Sequence, residues 1–236
     1  MSKLIIEKKE EEIFVSAVVA AAGSSVRMGT DKQFLLLDGM PALARSIDAL
    51  EKSECIDEII VCTKKENLTR VTSLVKQYNF TKVSCVCEGG DTRVQSVKNA
   101  VKNCSEKADI IAIHDGARPF VTAEAIRNTV EAAVRFGAAA CGVKVKDTIK
   151  QTDENGIVVN TPPRGNMWAV QTPQVFSFEI YKNALENAPE GVTDDCMIVE
   201  AAGQKVKLVE GEYTNIKITT PDDILTAQAI LKGRGE

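Results

Sequence analysis

The amino-acid sequence predicts an α/β fold: one domain built on a mostly parallel, doubly wound sheet, with a projecting β-hairpin arm. Short β-branched runs recur as "FVSAVVAA", "EIIVCT", "KVSCVCE", "DIIAIHD" and "AAACGVKV". Stretches of helical period lie between most of them, and strands that alternate with helices form a parallel sheet covered on both faces. A chain of 236 residues with 44% hydrophobic content is long and apolar enough to bury the core such a sheet needs.

The elements follow in chain order. A charged extension covers residues 1–12, and the apolar run from Ile13 to Ala22 follows the acid-rich "EKKEEE". A secretory signal carries a positive leading region, so this run is read as the first strand. The strand "KVSCVCE" ends in Gly89-Gly90, after which Asp91, Arg93 and Ser96 open a helix. In "TAEAIRNTVEAAVRF" the residues Ile126, Val130, Ala133 and Val134 form one apolar stripe, with Glu124, Arg127 and Glu131 mostly off it. The segment "KDTIKQTDENGIVVNTPPRGNMWAVQTPQ" breaks the alternation, because Asn155-Gly156 between two strand-like runs signals a hairpin. This is the arm, over about residues 146–167. A lone two-stranded ribbon is marginal in water, so it packs on its own domain or reaches across to a second subunit. Near the C-terminus "TNIKITTPDD" places Lys217 on a short strand. The last helix then starts with Thr220 as N-cap, Pro221 at the first helical position, and Asp222 and Asp223 on the positive end of the dipole.

Composition excludes several classes of function. A net charge of −4 and 5% aromatic residues do not make a nucleic-acid surface, so any phosphate binding is local. No apolar stretch is long enough to span a bilayer. The seven cysteines include one close pair, Cys85 and Cys87, whose spacing puts both on one face of a strand. That spacing is no zinc pattern, and the chain's single histidine cannot complete one. Free, buried thiols in a reducing cytoplasm are the expectation.

Ligands of parallel α/β sheets bind beyond the carboxyl ends of the strands, and the turn after the first strand is the usual phosphate site. Here that turn lies in "AVVAAAGSSVRMGTDKQFL". Gly23, Ser24, Ser25 and Gly29 are small enough for backbone N–H groups to approach a ligand, and Arg27 and Lys32 add fixed positive charge. The spacing fits neither a P-loop nor G-x-G-x-x-G. A second strand ends in "IHDGARPF", where Asp115 is a candidate magnesium ligand, since one carboxylate plus substrate phosphates suffices. No nucleophilic triad can be assembled around one histidine, and His114 is given no proton-transfer role.

The segments "AVVAAAGSSVRMGTDKQF", "EGGDTRVQSV", "IHDGARPF", "DTIK", "WAVQTPQVF", "TDD" and "NIKITTPDDI" stand in the order seen in the 2-C-methyl-D-erythritol 4-phosphate cytidylyltransferases, which this chain resembles over about residues 15–232. The resemblance implies a Rossmann-like nucleotidyltransferase sheet and transfer of a cytidylyl group from CTP to a small sugar-alcohol phosphate. It further implies that Arg27, Lys32 and Lys217 surround the triphosphate, that Asp115 orders Mg²⁺, and that Ala20, Ala22, Gly23, Gly90, Asp91 and Ser96 recognise cytosine and ribose. Asp115, Gly116, Arg118, Thr148, Arg164 and Thr193 map onto the acceptor contacts, with the arm crossing to the partner in a homodimer. One departure is "GEYTNIK", where the family can carry an acidic residue nearer to Asn-Ile-Lys; Glu212 is the nearest candidate for a second metal carboxylate. A ribitol 5-phosphate cytidylyltransferase would share the nucleotide half and differ only in the acceptor pocket. A non-catalytic nucleotide-binding module would have no need of the full set of Arg27, Lys32, Asp115 and Lys217.

Overall fold

A computed structural model describes residues 12–23 and 32–235 of the chain. The elements run β1 (Val15–Ala21), β2 (Leu36–Leu37), β3 (Met40–Pro41), α1 (Ala42–Glu51), β4 (Glu58–Thr63), α2 (Leu68–Gln77), β5 (Val83–Glu88) and α3 (Arg93–Val101). They continue through β6 (Ile110–Asp115), α4 (Ala123–Phe136), β7 (Ala138–Lys144), β8 (Gln151–Thr152), β9 (Val158–Asn160), β10 (Trp168–Ser177), α5 (Phe178–Glu186), α6 (Asp195–Ala201), β11 (Lys207–Glu210) and α7 (Asp222–Arg234). A seven-stranded sheet in the order β11-β7-β10-β6-β1-β4-β5 forms the centre. All its pairings are parallel except those of β10, which runs antiparallel to both β6 and β7.

Alternation along the strands sends side chains to two cores. In β1, Val15, Ala17, Val19 and Ala21 face a cluster completed by Ile47 of α1, Leu74 of α2 and Ile126 of α4. Val18 faces the opposite cluster, with Val97 of α3, Tyr181 of α5 and Val199 of α6. Both faces of the sheet are therefore covered, as a doubly wound arrangement requires. The stripe expected for α4 is in place: Ile126, Val130 and Ala133 are buried, and Val134 is partly buried. Gly137 ends that helix at φ 81°, a left-handed conformation that lets its N–H reach the Ala133 carbonyl at 2.7 Å.

Two details near the C-terminus differ from expectation. Lys217 lies on no strand; the segment is an irregular loop, held by the Ile218 N–H on the Ala117 carbonyl at 2.9 Å. Pairing with a turn, where no partner strand is available, leaves it outside the sheet. At the start of α7, Thr220 makes no side-chain cap. Instead the Asp223 carboxylate reaches back and accepts from the backbone N–H groups of Thr219 and Thr220 at 2.7 and 2.8 Å, and from both hydroxyls at 3.0 Å.

The arm is a hairpin whose two strands pair only with each other. Gly156 alone takes the left-handed conformation, at φ 79°, while Asn155 does not, so the turn is wider than a two-residue type I′ connection. The Asp153 carboxylate organises it by accepting from the N–H groups of Asn155 and Ile157 at 3.0 and 2.9 Å. Residues 146–161 are all exposed, including Ile157, Val158 and Val159 at 64%, 52% and 60%, so the described residues supply no surface for them. No helix among the described residues is long and apolar enough to cross a membrane.

The carboxylate of Asp223 gathers four donors that α7 would otherwise leave unsatisfied. Asp223→Ala is expected to cost about 1 kcal/mol of stability, the usual scale for a lost helix-terminal cap. Thr220→Ala, which keeps the backbone donor, costs less. Urea denaturation of the two variants checks the order.

Candidate active site

The chain leaves β1 outward to β4 and β5, then returns to the other side of β1 as β6. That reversal creates a crevice at the carboxyl ends of the strands, the general ligand position of open α/β sheets. A cleft of about 450 Å³ occupies it. Ala20, Ala22 and Gly23 reach it from the end of β1, Gly90, Asp91 and Ser96 from the β5–α3 turn, Asp115 from β6, and Lys217 from the loop before α7.

The β5–α3 turn is held from beneath by Ser96. Its hydroxyl oxygen accepts from the Gly90 N–H at 3.0 Å and lies 3.2 and 2.9 Å from the carbonyls of Gly90 and Thr92. Glycine is required at position 89, because a Cβ there would lie 2.5 Å from the Ala22 Cβ and 2.8 Å from the Ser96 Oγ. The same closeness brings the two backbone walls of the cleft together. Thr92 caps α3 by accepting from the Gln95 N–H at 3.1 Å.

Electrostatically the centre of the site is Asp115. Lys217 Nζ lies 2.9 Å and Arg118 Nε 3.4 Å from its Oδ2. Burial alone would raise this carboxyl, but Lys217, Arg93 and Arg118 outweigh it and hold the pKa down at about 2. His114 beside it is fully buried. Its Nε2 faces only the Arg118 carbonyl, at 3.1 Å, so that nitrogen carries the proton and Nδ1 accepts from the Thr172 hydroxyl at 3.0 Å. The same Thr172 oxygen accepts from the Asp115 N–H at 3.0 Å, fixing the carboxylate's backbone. Burial pushes the His114 pKa down to about 4, so the ring is neutral near pH 7 and braces the end of β6 through its two hydrogen bonds.

Arg93 also lines the cleft and pairs with Asp195, which is completely buried at the start of α6. Burial works against the Arg93 charge, and the carboxylates of Asp195 and Asp115 overcome it and push its pKa up. Tyr181 donates to the other Asp195 oxygen at 2.6 Å, and Gln174 Oε1 accepts from the Asp195 N–H at 2.9 Å. Sequence reasoning placed Arg93 in a helix start without giving it a site role. Its partner lies 102 positions away, and only the neighbouring "TDD" offered a signal. Lys64, Gln33 and Thr92 also line the cleft and carried no distinguishing pattern.

The remaining expected residues distribute as follows. Arg27 and the Lys32 side chain lie outside the described residues, although Gly23 and Gln33, which bracket their segment, both line the cleft. Gly116 is packed beneath it, where a Cβ would meet the Leu43 Cδ1 at 2.9 Å. Arg118 turns its guanidinium to Asp115 and to the Asn215 carbonyl, at 2.8 Å. Thr148 and Arg164 are exposed on the arm, Thr193 is exposed just before α6, and none of the three lines the cleft. Glu212 is engaged by Thr122 at 2.6 Å and by Thr214 at 3.1 Å, and does not line it either. Among the described residues no three His, Cys, Asp or Glu side chains converge as a metal site. The Asp115 carboxylate at the cleft nevertheless suits magnesium, which keeps most of its coordination for water and substrate oxygens.

The family model described as 2-C-methyl-D-erythritol 4-phosphate cytidylyltransferase matches residues 15–233. Curated proteins of that name are similar along nearly their whole length. The one from Desulforamulus reducens is 46% identical over 226 residues, covering 93% of this chain and 97% of its own. That from Caldanaerobacter subterraneus subsp. tengcongensis is 45% identical over 225 residues, covering 92% and 99%. Among solved structures, the 4-diphosphocytidyl-2C-methyl-D-erythritol synthase of Anaerococcus prevotii superposes with a TM-score of 0.84 at 32% identity, covering 94% of this chain and 97% of its own.

The buried His114 gives stability a definite pH dependence. Its pKa is about 4 in the fold against 6.5 ordinarily. Between those values the unfolded chain binds a proton that the folded chain refuses. Stability is then lost as pH falls from about 6.5 toward 4, by up to about 1.4 kcal/mol per pH unit from this group. His114→Gln removes that component, and urea midpoints at pH 7, 6 and 5 for the two proteins show a shallower decline in the variant.

Proposed function

Because the chain belongs to the 2-C-methyl-D-erythritol 4-phosphate cytidylyltransferase family, we propose that the cleft at the ends of β1, β5 and β6 is where its reaction takes place. The protein transfers a cytidylyl group from CTP to 2-C-methyl-D-erythritol 4-phosphate, releasing pyrophosphate and forming 4-diphosphocytidyl-2-C-methyl-D-erythritol in the non-mevalonate isoprenoid pathway. The observation that supports the placement is Asp115 with Lys217 at 2.9 Å, in a cleft that Arg93 and Lys64 line together with the small residues Ala20, Ala22, Gly23 and Gly90.

The acceptor phosphate is itself the nucleophile, so the chain has to position two anions and neutralise the charge that builds on the α-phosphoryl oxygens. Lys217 does this from one side. Arg27 and Lys32, on the segment between Gly23 and Gln33, add to it. Gly23, Gly90 and Asp91, with Ser96 shaping their turn, read cytosine and ribose through polar edges, where a mismatched base leaves donors unpaired. A bound magnesium ion supplies further positive charge to the phosphates, and Asp115 is the residue that would hold it. Arg118 keeps that carboxylate in place. The arm supplies Thr148 and Arg164 to the acceptor phosphate of a partner's site in a cytoplasmic homodimer, and Thr193, just before α6, completes that pocket. Support for this comes from the arm's exposed apolar residues, which gain a surface in such an exchange.

Pyrophosphate release from CTP with methylerythritol phosphate is the direct test. Release at comparable efficiency with ribitol 5-phosphate, or with UTP in place of CTP, overturns the acceptor or base assignment. Lys217→Ala, Arg27→Ala and Lys32→Ala are each expected to lower turnover by about two to three orders of magnitude, the scale for one preorganised donor facing developing charge. Near-normal turnover in all three removes the electrostatic role.

The exchanged arm predicts complementation. Mixing inactive Arg27→Ala and Arg164→Ala proteins, with subunit exchange, yields mixed dimers holding one intact and one doubly damaged site. Random reassortment makes about half the dimers mixed, so activity recovers to roughly a quarter of wild type. Exchange confirmed by native mass spectrometry without recovery shows that each arm serves its own subunit.

A further inference from the structure

We propose that Cys62 and Cys87 form a reversible dithiol–disulfide site that disables the nucleotide pocket when a peroxide-class oxidant closes it. Parallel pairing of β4 with β5 sets Cys62 directly opposite Cys87. Adjacent strands are about 4.8 Å apart, within the roughly 4.4–6.8 Å Cα separation that disulfides span. Both side chains point to the same face of the sheet, beneath α3. Cys62 belongs to the buried cluster there, and Cys87 packs against that cluster.

The two thiols differ in a way that assigns their roles. Cys62 is completely buried, whereas Cys87 is partly exposed on the edge strand. The neighbouring Cys62 lowers the Cys87 pKa, while burial raises those of Cys85 and Cys104, the latter to about 12. Cys87 is thus the attacking thiolate. It takes one peroxide oxygen, the O–O bond breaks, and hydroxide leaves a sulfenic acid on Cys87. The Cys62 sulfur attacks that sulfur, the S–S bond forms, and the hydroxyl departs with the Cys62 proton as water. Two thiols are oxidised by two electrons and one peroxide is reduced to two waters.

Closure reaches the pocket through Ser96. In the dithiol form the Cys62 S–H donates to the Ser96 carbonyl at 3.1 Å, and Ser96 in turn holds Gly90 through its hydroxyl. A disulfide has no proton to donate, and it draws the Cys62 sulfur, which lies 3.4 Å from where a Cβ of Gly89 would be, toward β5. The inference rests on the nucleotide assignment made for this turn.

The experiment measures CTP binding calorimetrically on the full chain, reduced and then treated with hydrogen peroxide, with disulfides located by peptide mapping. Reduced protein that fails to bind CTP refutes the nucleotide assignment, whereas the map still decides the thiol chemistry. The expected result is a Cys62–Cys87 link consuming two of the seven thiols, CTP affinity weakened by about tenfold or more as a supporting hydrogen bond is lost, and recovery with dithiothreitol. Cys87→Ser is expected to bind CTP and ignore peroxide, while Cys104→Ser responds as wild type does. The proposal falls if peroxide links other cysteines, if the Cys62–Cys87 link forms without weakening CTP, or if Cys87→Ser responds fully. Should Cys87→Ser fold poorly, the wild-type map and its reversal with dithiothreitol remain decisive.

Discussion

A carboxylate buried at a strand end has to be satisfied, and the fold around Asp115 is arranged to do so. An ionised group this deep is tolerated only with opposite charge and hydrogen bonds close by. The partners come from far apart in the chain. Arg118 belongs to the turn that follows β6, Lys217 to the loop before α7, and Thr172, which holds the Asp115 N–H, to β10. The Lys217 loop is placed in turn by the Ile218 N–H on Ala117 and by Asn215, whose side chain donates to the Thr172 carbonyl at 3.0 Å. Such an arrangement adds little net stability, because desolvation offsets the attraction, but it permits only one relative placement of three elements. Ligand phosphates entering the cleft meet charge that is already oriented, with little reorganisation left to make.

The antiparallel strand β10 connects this centre to the second buried carboxylate. Thr172 serves Asp115 and His114, and two residues later Gln174 accepts from the N–H groups of Asp195 and Cys196 at 2.9 and 3.1 Å. Asp195 then anchors Arg93 at the first residue of α3. The turn that shapes one wall of the cleft is therefore tied to the same strand that fixes the opposite wall. A strand crossing the sheet in reverse is what allows residues that follow the arm to reach both carboxylates from a single element.

Five of the sheet strands and the stripe of α4 were legible in the sequence because β-branched runs and helical period are local signals. β10 was not, since "WAVQTPQVFS" mixes polar with apolar residues; Gln171, Thr172 and Gln174 are buried there as hydrogen-bonding groups, which hydropathy alone cannot distinguish from exposed ones. The turns that wall the cleft were readable from glycines at strand ends, Gly23 after β1 and Gly89-Gly90 after β5, and Ala20 and Ala22 came from the family resemblance. Arg93 was not, because its meaning depends on Asp195, and the two meet only through the packing of α3 against α5 and α6. The start of α7 was misjudged for a smaller reason. Thr220 and Asp223 are both capping residue types, and which of them turns inward depends on the backbone path out of the Lys217 loop.

The arm shows the same logic at the level of assembly. Its hydrogen bonds are local: Asp153 holds the turn, and Arg164 bonds the Lys146 carbonyl at the base at 2.8 Å. None of these hides Ile157, Val158 or Val159 from water. A ribbon of this size is marginal by its own pairing, and the described residues offer it no covering surface. Arg164 keeps its charge on an exposed side chain while using a neutral carbonyl as its partner. An arginine so held retains donors for an anion, as the proposed exchange between two subunits requires. The exposed apolar strand, and an arginine with no carboxylate partner among the described residues, are the two features that the proposed exchange of arms would put to use in one place.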